Sequence, residues 1–435
     1  MSLWWKQVDH PDFSPGTLDQ QWDLVIVGGG FSGLWSAYHA LAIDPSLKIA
    51  VLEQSRIGTG ASGRNGGWAS ALYPLASEKL VRHSSQESID QLHKQLQGSI
   101  DEIGNFAKEH DIECGFHKGG RLSFARNEGQ LKRLADERES DETFLSTHDS
   151  DARIHMSKNL GANYSPHCAA LNPAALIVGL AQHLETRGVS LFENTLAQFD
   201  AKNNVSVNGR AIKTSAVVRA TEAYQEGTRK HIPVYSLMIA TDPLPDKVLK
   251  LIGGENRETF ADGSHVVNYA QRTSDGRLAL GGRGAPYTWG SQRNDKAEVN
   301  KRIHAHLRTM AREWFPVLHD YDFPHSWGGA VAITRDWSPY VRWDGKYGEL
   351  GGYVGDGVTL SYLAAAAMAD LLTHTQSVRT SLPFVQWSNP KWEPEPLRWL
   401  AINSAIALSS VSDHEENLTQ RPSLLMKALA PIIGK

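Results

Sequence analysis

An α/β fold of two domains is predicted, and three features of the sequence predict it. The 435 residues exceed one ordinary domain, and 41% of them are hydrophobic, enough to fill two cores. Residues 23–42, DLVIVGGGFSGLWSAYHALA, pass from a short apolar run through a glycine turn into a helical pattern, the opening of a parallel sheet flanked by helices. Farther on, HVVNYAQRTSDGRLALGG reads as two strands about an Asp275-Gly276 turn, an antiparallel hairpin that belongs to a different sheet.

The first glycine turn has the spacing G-x-G-x-x-G at Gly28, Gly30 and Gly33. Gly28 allows the tight turn, Gly30 lets backbone approach a pyrophosphate, and Gly33 lets the helix lie close on the strand. The helix start at Phe31 and Ser32 then offers unpaired N–H groups and a positive dipole end to the phosphates. A second strand, KIAVLE, ends at Glu53, followed by Gln54, twenty residues after Gly33. A carboxylate there accepts the hydroxyls of an adenosine ribose and disfavours a 2′-phosphate.

Residues 58–67, GTGASGRNGG, form a second glycine-rich loop where a nicotinamide dehydrogenase would continue into helix and strand. Gly60, Ala61, Ser62, Arg64, Asn65, Gly66 and Gly67 offer backbone N–H groups and one cation with little bulk, which suits FAD, a dinucleotide long enough to need both loops. The segment SSQESIDQLHKQLQGSIDEIGNFAKEH has helical spacing, and GGRLSFA reads as a strand. NPAALIVGLAQHLETRG is a helix with Pro173 in its first turn and Gly188 just past its end, leading to the strands VSLFENT and AVVRAT. GYVGDGVTLSYLAAAAMADLL is a third glycine turn opening onto a helix.

Taken together, VIVGGGFSGLWSAYHA, GASGRNGG, VVRATEAY, IPVYSLMIATDPLP, LALGGRG, WGGAVAITRDWSPYV and the last glycine turn resemble the D-amino acid oxidase (DAO) superfamily of FAD-dependent oxidoreductases, and within it the γ-glutamylputrescine oxidase type. The resemblance runs from near residue 4 to near residue 399. It implies a Rossmann-like FAD-binding domain (1–77, 152–228 and 324–380), interleaved with an antiparallel-sheet substrate domain (78–151 and 229–323). A C-terminal extension, 381–435, is expected to pack on the FAD domain. The resemblance adds Leu196, Ala220 and Thr221 to the FAD contacts, and places Gly355, Asp356, Gly357, Val358 and Thr359 at the flavin ring, where a helix N-terminus stabilises charge near N1 and O2.

The implied chemistry is oxidation of an amine or amino acid at its CH–NH bond to an imine, hydrolysed to an aldehyde or keto product, with dioxygen reduced to hydrogen peroxide. A same-fold dehydrogenase using a quinone or carrier protein is the alternative, and a noncatalytic flavin-binding partner or sensor is the alternative of another class. Relatives acting on small amino acids carry an Arg soon after the WG step, where this chain has Ala330 and Val331; sarcosine-type relatives can carry a Lys where it has Thr359. An amine or polyamine derivative, or an amino acid held by other residues, is favoured. Arg272 and Arg335 are candidates for an anion clamp or ordinary ion-paired arginines. Tyr269, Trp327 and Tyr353 are pocket candidates raised only by proximity to the inferred flavin, since an aromatic on a strand is more often core than substrate contact.

Charge excludes nucleic acid as a partner: 44 basic and 48 acidic residues give a net charge of −4 without a basic stripe. Cys114 and Cys168 show no metal or disulfide pattern and fit a reducing cytosol, and the 18 histidines show no metal-ligand spacing. Neither cysteine lies near the final glycine turns and no His occurs in GASGRNGGWASALYP, so noncovalent FAD is expected. No signal peptide or membrane span is legible, and the protein is expected to be cytoplasmic. The last dozen residues, with two lysines among apolar residues, fit a docked helix or a membrane or partner contact.

Overall fold

The structure, a computed structural model, describes residues 1–13, 16–18, 21–225, 227–282 and 286–426. Strand Trp22–Val27 is apolar along nearly its whole length because both its faces are covered. It sits inside a six-stranded sheet ordered Tyr340–Trp343, Tyr347–Gly351, Thr214–Arg219, Trp22–Val27, Ile49–Leu52, Ser190–Phe192. All neighbours pair in parallel except the edge strand Tyr340–Trp343, which is antiparallel. Helices Phe31–Ile43 and Gly357–Leu372 are apolar all round, as befits helices packed on each other and on the sheet. Helix Gln86–Glu109, capped by Ser85, lays Ile89, Leu92, Leu96, Ile100, Ile103 and Phe106 into the same core. Helix Pro173–Thr186 starts with Pro173 beside the Asn172 cap, and Gly188 follows at φ 86°.

The second sheet has eight strands, ordered His325–Thr334, His231–Ala240, Leu278–Gly282, Asn268–Arg272, Thr259–Asp262, Arg121–Phe124, Ala162–Ser165, Thr143–Leu145. Only Thr259–Asp262 and Arg121–Phe124 pair in parallel. One face forms a core with helix Lys301–Trp314 through Leu307, Met310, Ala311 and Trp314. The other face meets the second glycine loop, where Tyr269 lies against Gly66 and Arg64 against Gly329. The hairpin about Asp275-Gly276 is present, with Gly276 at φ 79°.

Two expectations about organisation differ from the structure. Strands Ala162–Ser165 and His325–Thr334 fall inside segments assigned to the nucleotide-binding domain, yet both pair in the eight-stranded sheet. His325–Thr334 matches His231–Ala240 along all ten residues, a ladder whose hydrogen bonds outweigh proximity in sequence. The C-terminal extension also packs differently. Residues near Phe384 to Asn389 run beside the edge strand through Val341 and Arg342, but helix Leu397–Thr419 docks on the eight-stranded side. There Asp413 accepts the His265 and Val266 N–H groups at 2.7 and 3.0 Å, and the fully buried Glu416 pairs with Arg133 at 2.8 Å and His265 at 3.0 Å. Buried carboxylates need donors, and the 263–266 loop with Arg133 supplies them. The expected terminal docking or membrane contact falls mostly on residues 427–435, and Arg283 and Gly284 of the LALGGRG stretch on 283–285; both lie outside the described residues. Among the described residues no helix is long and apolar enough to cross a membrane.

Candidate cofactor and substrate site

A cleft of about 580 Å³ lies over the C-terminal ends of the parallel strands and is lined by the first glycine turn, Glu53, the second glycine loop and the start of helix Gly357–Leu372. Gly28 has φ 113°, and a Cβ there would meet the Ala220 carbonyl oxygen at 2.5 Å. A Cβ on Gly33 would come within 1.9 Å of the Gly28 oxygen, so Gly33 serves the helix–strand contact and does not line the cleft. At Gly30 a Cβ would meet only the Ser62 side chain, with Oγ at 2.8 Å; otherwise it would stand free. Phe31 and Ser32 begin the helix, whose Phe31 N–H donates to Ser62 Oγ at 2.9 Å, tying the two glycine loops together.

Glu53 accepts N–H groups from Gly29 at 2.8 Å and Ser55 at 2.9 Å. Burial pushes its carboxyl up while these two donors hold it down. Gln54, Ala220 and Thr221 line the same end, and Leu196, 58% exposed, forms its rim. At the other end Gly355, Gly357 and Val358 line the cleft. The helix they open has no side-chain cap, leaving first-turn N–H groups for a ligand. Thr359 is fully buried and its Oγ1 has no hydrogen-bond partner.

The second glycine loop divides its work. Gly60, Ala61, Ser62, Arg64 and Asn65 line the cleft, while Gly66 lines only an adjoining inner cavity and Gly67 lines neither. Gly67, at φ 71°, is required by the chain itself, since a Cβ would lie 2.3 Å from the Leu171 oxygen. Asn65 closes a turn by accepting the Gly67 N–H at 2.8 Å. Two indoles lock the loop: Trp4 Nε1 donates to the Asn65 oxygen at 2.8 Å and Trp327 Nε1 to the Arg64 oxygen at 2.9 Å. The Arg64 guanidinium is held by Glu298 at 2.5 Å.

The inner cavity, about 250 Å³, shares Ala61, Arg64, Asn65, Val331, Gly355 and Val358 with the cleft and extends over the eight-stranded sheet past Trp68, Ser236, Tyr269, Ser123 and Arg121. Asp356 lines this cavity alone. Of the three pocket candidates, Tyr269 lines it, with its hydroxyl 2.8 Å from Ser236 Oγ and its ring edge-on to Trp68. Tyr353 lines the cleft, its hydroxyl 2.9 Å from Ser32 Oγ. Trp327 lines neither: on the same strand as Gly329, but two residues earlier, it is covered by Trp4 and the 64–65 backbone. Ala330 is core, and Val331 lines both cavities. Arg272 and Arg335 line neither; Arg335 pairs with Glu393 at 3.0 Å and Arg272 donates to the Gly253 oxygen at 3.4 Å.

Several residues at the site carry no signal in the sequence. Arg121 enters the cavity through strand alternation. Glu298 and Trp4 arrive from 234 and 61 residues away. Glu222, at φ 44°, lines the cleft and accepts the Ala332 N–H at 2.9 Å and the Tyr353 N–H at 3.3 Å, joining the two sheets. Its burial lifts the carboxyl to about 7 against those donors. A φ above zero on a carboxylate residue is visible only in three dimensions.

The cleft fits FAD. Gly30 supplies a bare backbone that a side chain would fill, a helix start whose N-cap residue makes no side-chain bond faces each end, and the orphaned Thr359 hydroxyl is buried beside the second of these. Residues 23–371 match the DAO family, described as FAD dependent oxidoreductase. A probable oxidoreductase OrdL of Rhizobium meliloti is 28% identical over 80% of this chain and 82% of its own length, and the gamma-glutamylputrescine oxidoreductase of Escherichia coli is 27% identical over 80% and 83%. The glycine oxidase of Geobacillus kaustophilus superposes with a TM-score of 0.70 at 20% identity, over 84% of this chain and 98% of that one. The L-amino acid deaminase of Proteus vulgaris with its specific insertion sequence deleted gives 0.67 at 18%, over 87% and 96%. With the match spanning most of its length and the cleft able to take the cofactor, the chain belongs to the DAO family and is an FAD-dependent oxidoreductase.

Proposed function

We propose that this oxidoreductase oxidises the CH–NH bond of an amine or amino acid to an imine, which water hydrolyses to an aldehyde or keto product, with dioxygen reduced to hydrogen peroxide. The observation that carries this reading is the inner cavity, which opens directly on the ring end of the cleft. Relatives named gamma-glutamylputrescine oxidoreductase, sarcosine oxidase subunit beta and glycine oxidase support a substrate of this class. Bound FAD supplies the chemistry, accepting a hydride from the carbon beside nitrogen.

The chain's own residues bind, orient and desolvate. The turn from Gly28 to Ser32 and the loop from Gly60 to Asn65 would hold the pyrophosphate against backbone N–H groups, and Glu53 would accept the ribose hydroxyls. Helix Gly357–Leu372 would set its positive end toward the ring. Neither cavity is lined by Cys or His among the described residues, which supports noncovalent attachment. Trp68, Leu72, Val267, Tyr269 and Val331 give the inner cavity an apolar wall that favours the neutral form of a bound amine, the form able to lose hydride, while Asp262 and Asp356 on the same lining favour its charged form.

The test is an anaerobic visible spectrum of the FAD-loaded protein before and after adding a panel of amines and amino acids, followed by admission of air with a peroxide assay. Bleaching by at least one compound, then recovery with peroxide, is expected. A loaded flavin that no amine bleaches refutes the amine reading. Bleaching without recovery in air refutes the oxidase half and leaves a dehydrogenase.

A further inference from the structure

We infer that Asp413, on the C-terminal helix, is a positioning residue that fixes one wall of the inner cavity and so sets which amines the cavity holds well. The inference rests on the amine-oxidising reading of that cavity. Strands Thr259–Asp262 and Asn268–Arg272 are antiparallel neighbours, joined by residues 263–267. Both ends of this connection line the cavity, Asp262 before it and Val267 at its close, with Tyr269 two residues farther on. The connection is therefore a stretch of cavity rim, and its place depends on what grips it from outside.

Two separate elements grip it. The first half is tied to its own sheet and the helix beside it: the Gly263 N–H donates to the Phe124 oxygen at 2.9 Å, and Arg133 donates to the Gly263 oxygen at 2.7 and 3.1 Å. The second half is held by helix Leu397–Thr419. Asp413 takes the His265 N–H on one carboxylate oxygen and the Val266 N–H on the other, at 2.7 and 3.0 Å, and Glu416 Oε1 lies 3.0 Å from His265 Nε2. A carboxylate that bridges two successive N–H groups makes two charge-assisted bonds, and so sets the direction of the chain as well as its distance. Val267, which lines the cavity, follows directly on the second of these. Among the described residues none of this helix lines either cavity, so Asp413 reaches a substrate only through the 265–267 backbone. The helix also lies beyond residue 371, where the family match ends. This part of the rim is thus placed by a segment that the family match does not include.

The test uses the full-length, FAD-loaded protein and probes of graded size: butylamine, hexylamine, benzylamine, 1,4-diaminobutane, sarcosine and L-alanine. Anaerobic flavin bleaching gives a half-saturating concentration and a limiting rate for each. Asp413→Ala removes both acceptors. It is expected to raise the half-saturating concentration of the best probe about tenfold or more, since a shift of about 1 Å in a positioning element is worth up to about a hundredfold. The limiting rate and the FAD dissociation constant should stay within about twofold, because neither cofactor loop is touched. Asp413→Asn keeps one side-chain oxygen and should keep part of the affinity; it also carries the test if the alanine variant does not fold. Asn417→Ala is the control: it removes a 2.9 Å bond from the same helix to Asn127 and leaves the 265–266 N–H groups alone. It should lower Tm without moving any half-saturating concentration. Backbone amide exchange gives a second readout, with residues 263–267 exchanging faster in Asp413→Ala and not in Asn417→Ala. Unchanged half-saturating concentrations in both Asp413 variants, unchanged exchange, or the same loss of affinity in Asn417→Ala overturns the inference while the amine reading stands. If no compound bleaches the loaded flavin, the amine reading falls and takes this inference with it.

Discussion

Gly30→Val separates cofactor binding from folding. Gly30 has φ −88° and ψ −174°, extended backbone that any residue adopts, so the substitution introduces no backbone strain. Inside the protein the new Cβ meets only Ser62 Oγ, at 2.8 Å. Rotating Ser62 away loses its bond to the Phe31 N–H, about 1 kcal/mol. In a chain of this size such a loss shifts Tm by no more than about 2–4 °C. On the proposed assignment, however, the methyl groups would stand where the pyrophosphate meets backbone. Losing two charge-assisted hydrogen bonds at about 1.5–3 kcal/mol each weakens FAD binding by about a hundredfold to ten-thousandfold. The assay is apoprotein titration with FAD by flavin fluorescence, beside thermal unfolding of the apoprotein. Gly33→Ala is the control with the opposite profile: its Cβ would lie 1.9 Å from the Gly28 oxygen, so it should unfold the apoprotein early. A Gly30→Val protein that keeps its FAD affinity, or that loses stability as Gly33→Ala does, refutes the assignment of this turn to the pyrophosphate.

Glu53→Ala should weaken FAD binding about tenfold to a hundredfold, and Glu53→Gln less, because a side-chain oxygen is retained; equal dissociation constants would reduce Glu53 to a support for the Gly29 and Ser55 N–H groups. Glu222 has its carboxyl lifted by burial from 4.5 to about 7, so the stability it contributes is complete below about pH 4.5 and is lost as pH rises through about 7. Across that window Glu222→Gln should gain about 2–4 kcal/mol relative to the unaltered protein in denaturant titrations, and a pH-independent difference would contradict the burial. Burial pushes the Glu416 carboxyl up, but bonds from His265, Arg133 and Ser423 outweigh it and hold it well below the usual range. Its contribution is present above about pH 4.5 and lost as pH falls toward the depressed value. Glu416→Gln should cost about 3–5 kcal/mol near pH 7, shrinking in acid, with earlier proteolysis of the C-terminal helix as a second readout. Trp4→Phe keeps the ring contact with Trp327 but leaves the Asn65 oxygen without its indole donor; a stability loss of about 1–3 kcal/mol accompanied by weaker FAD retention is expected, and loss of neither would make the indole bond incidental.

The glycine turn at residues 28–33, the helix from Gln86 and the hairpin at Asp275-Gly276 were legible because each is set by residues within one turn or one period of each other. The second glycine loop was legible only in part. Its cleft-lining stretch, Gly60 to Asn65, agrees with a ligand against main chain, but Gly66 yields to Tyr269 and Gly67 to Leu171, partners more than a hundred residues away. Composition cannot tell a glycine that admits a ligand from one that admits a distant side chain. Trp327 lines neither cavity for a related reason: what covers it, Trp4 and the Arg64 backbone, comes from a distant part of the chain.

By itself the sequence determined that a tight glycine turn exists, which strand and helix flank it, and that a carboxylate ends the next strand, since spacing along one chain dictates these. The tertiary structure alone decided that Glu298 occupies Arg64, that Trp4 and Trp327 pin the loop, that Glu222 joins the two sheets and that the C-terminal helix docks on the eight-stranded side. It also decided that Arg121 lines the inner cavity. Each of these is a contact between segments whose separation in sequence carries no period and no spacing, so only the folded chain brings their charges and donors into reach.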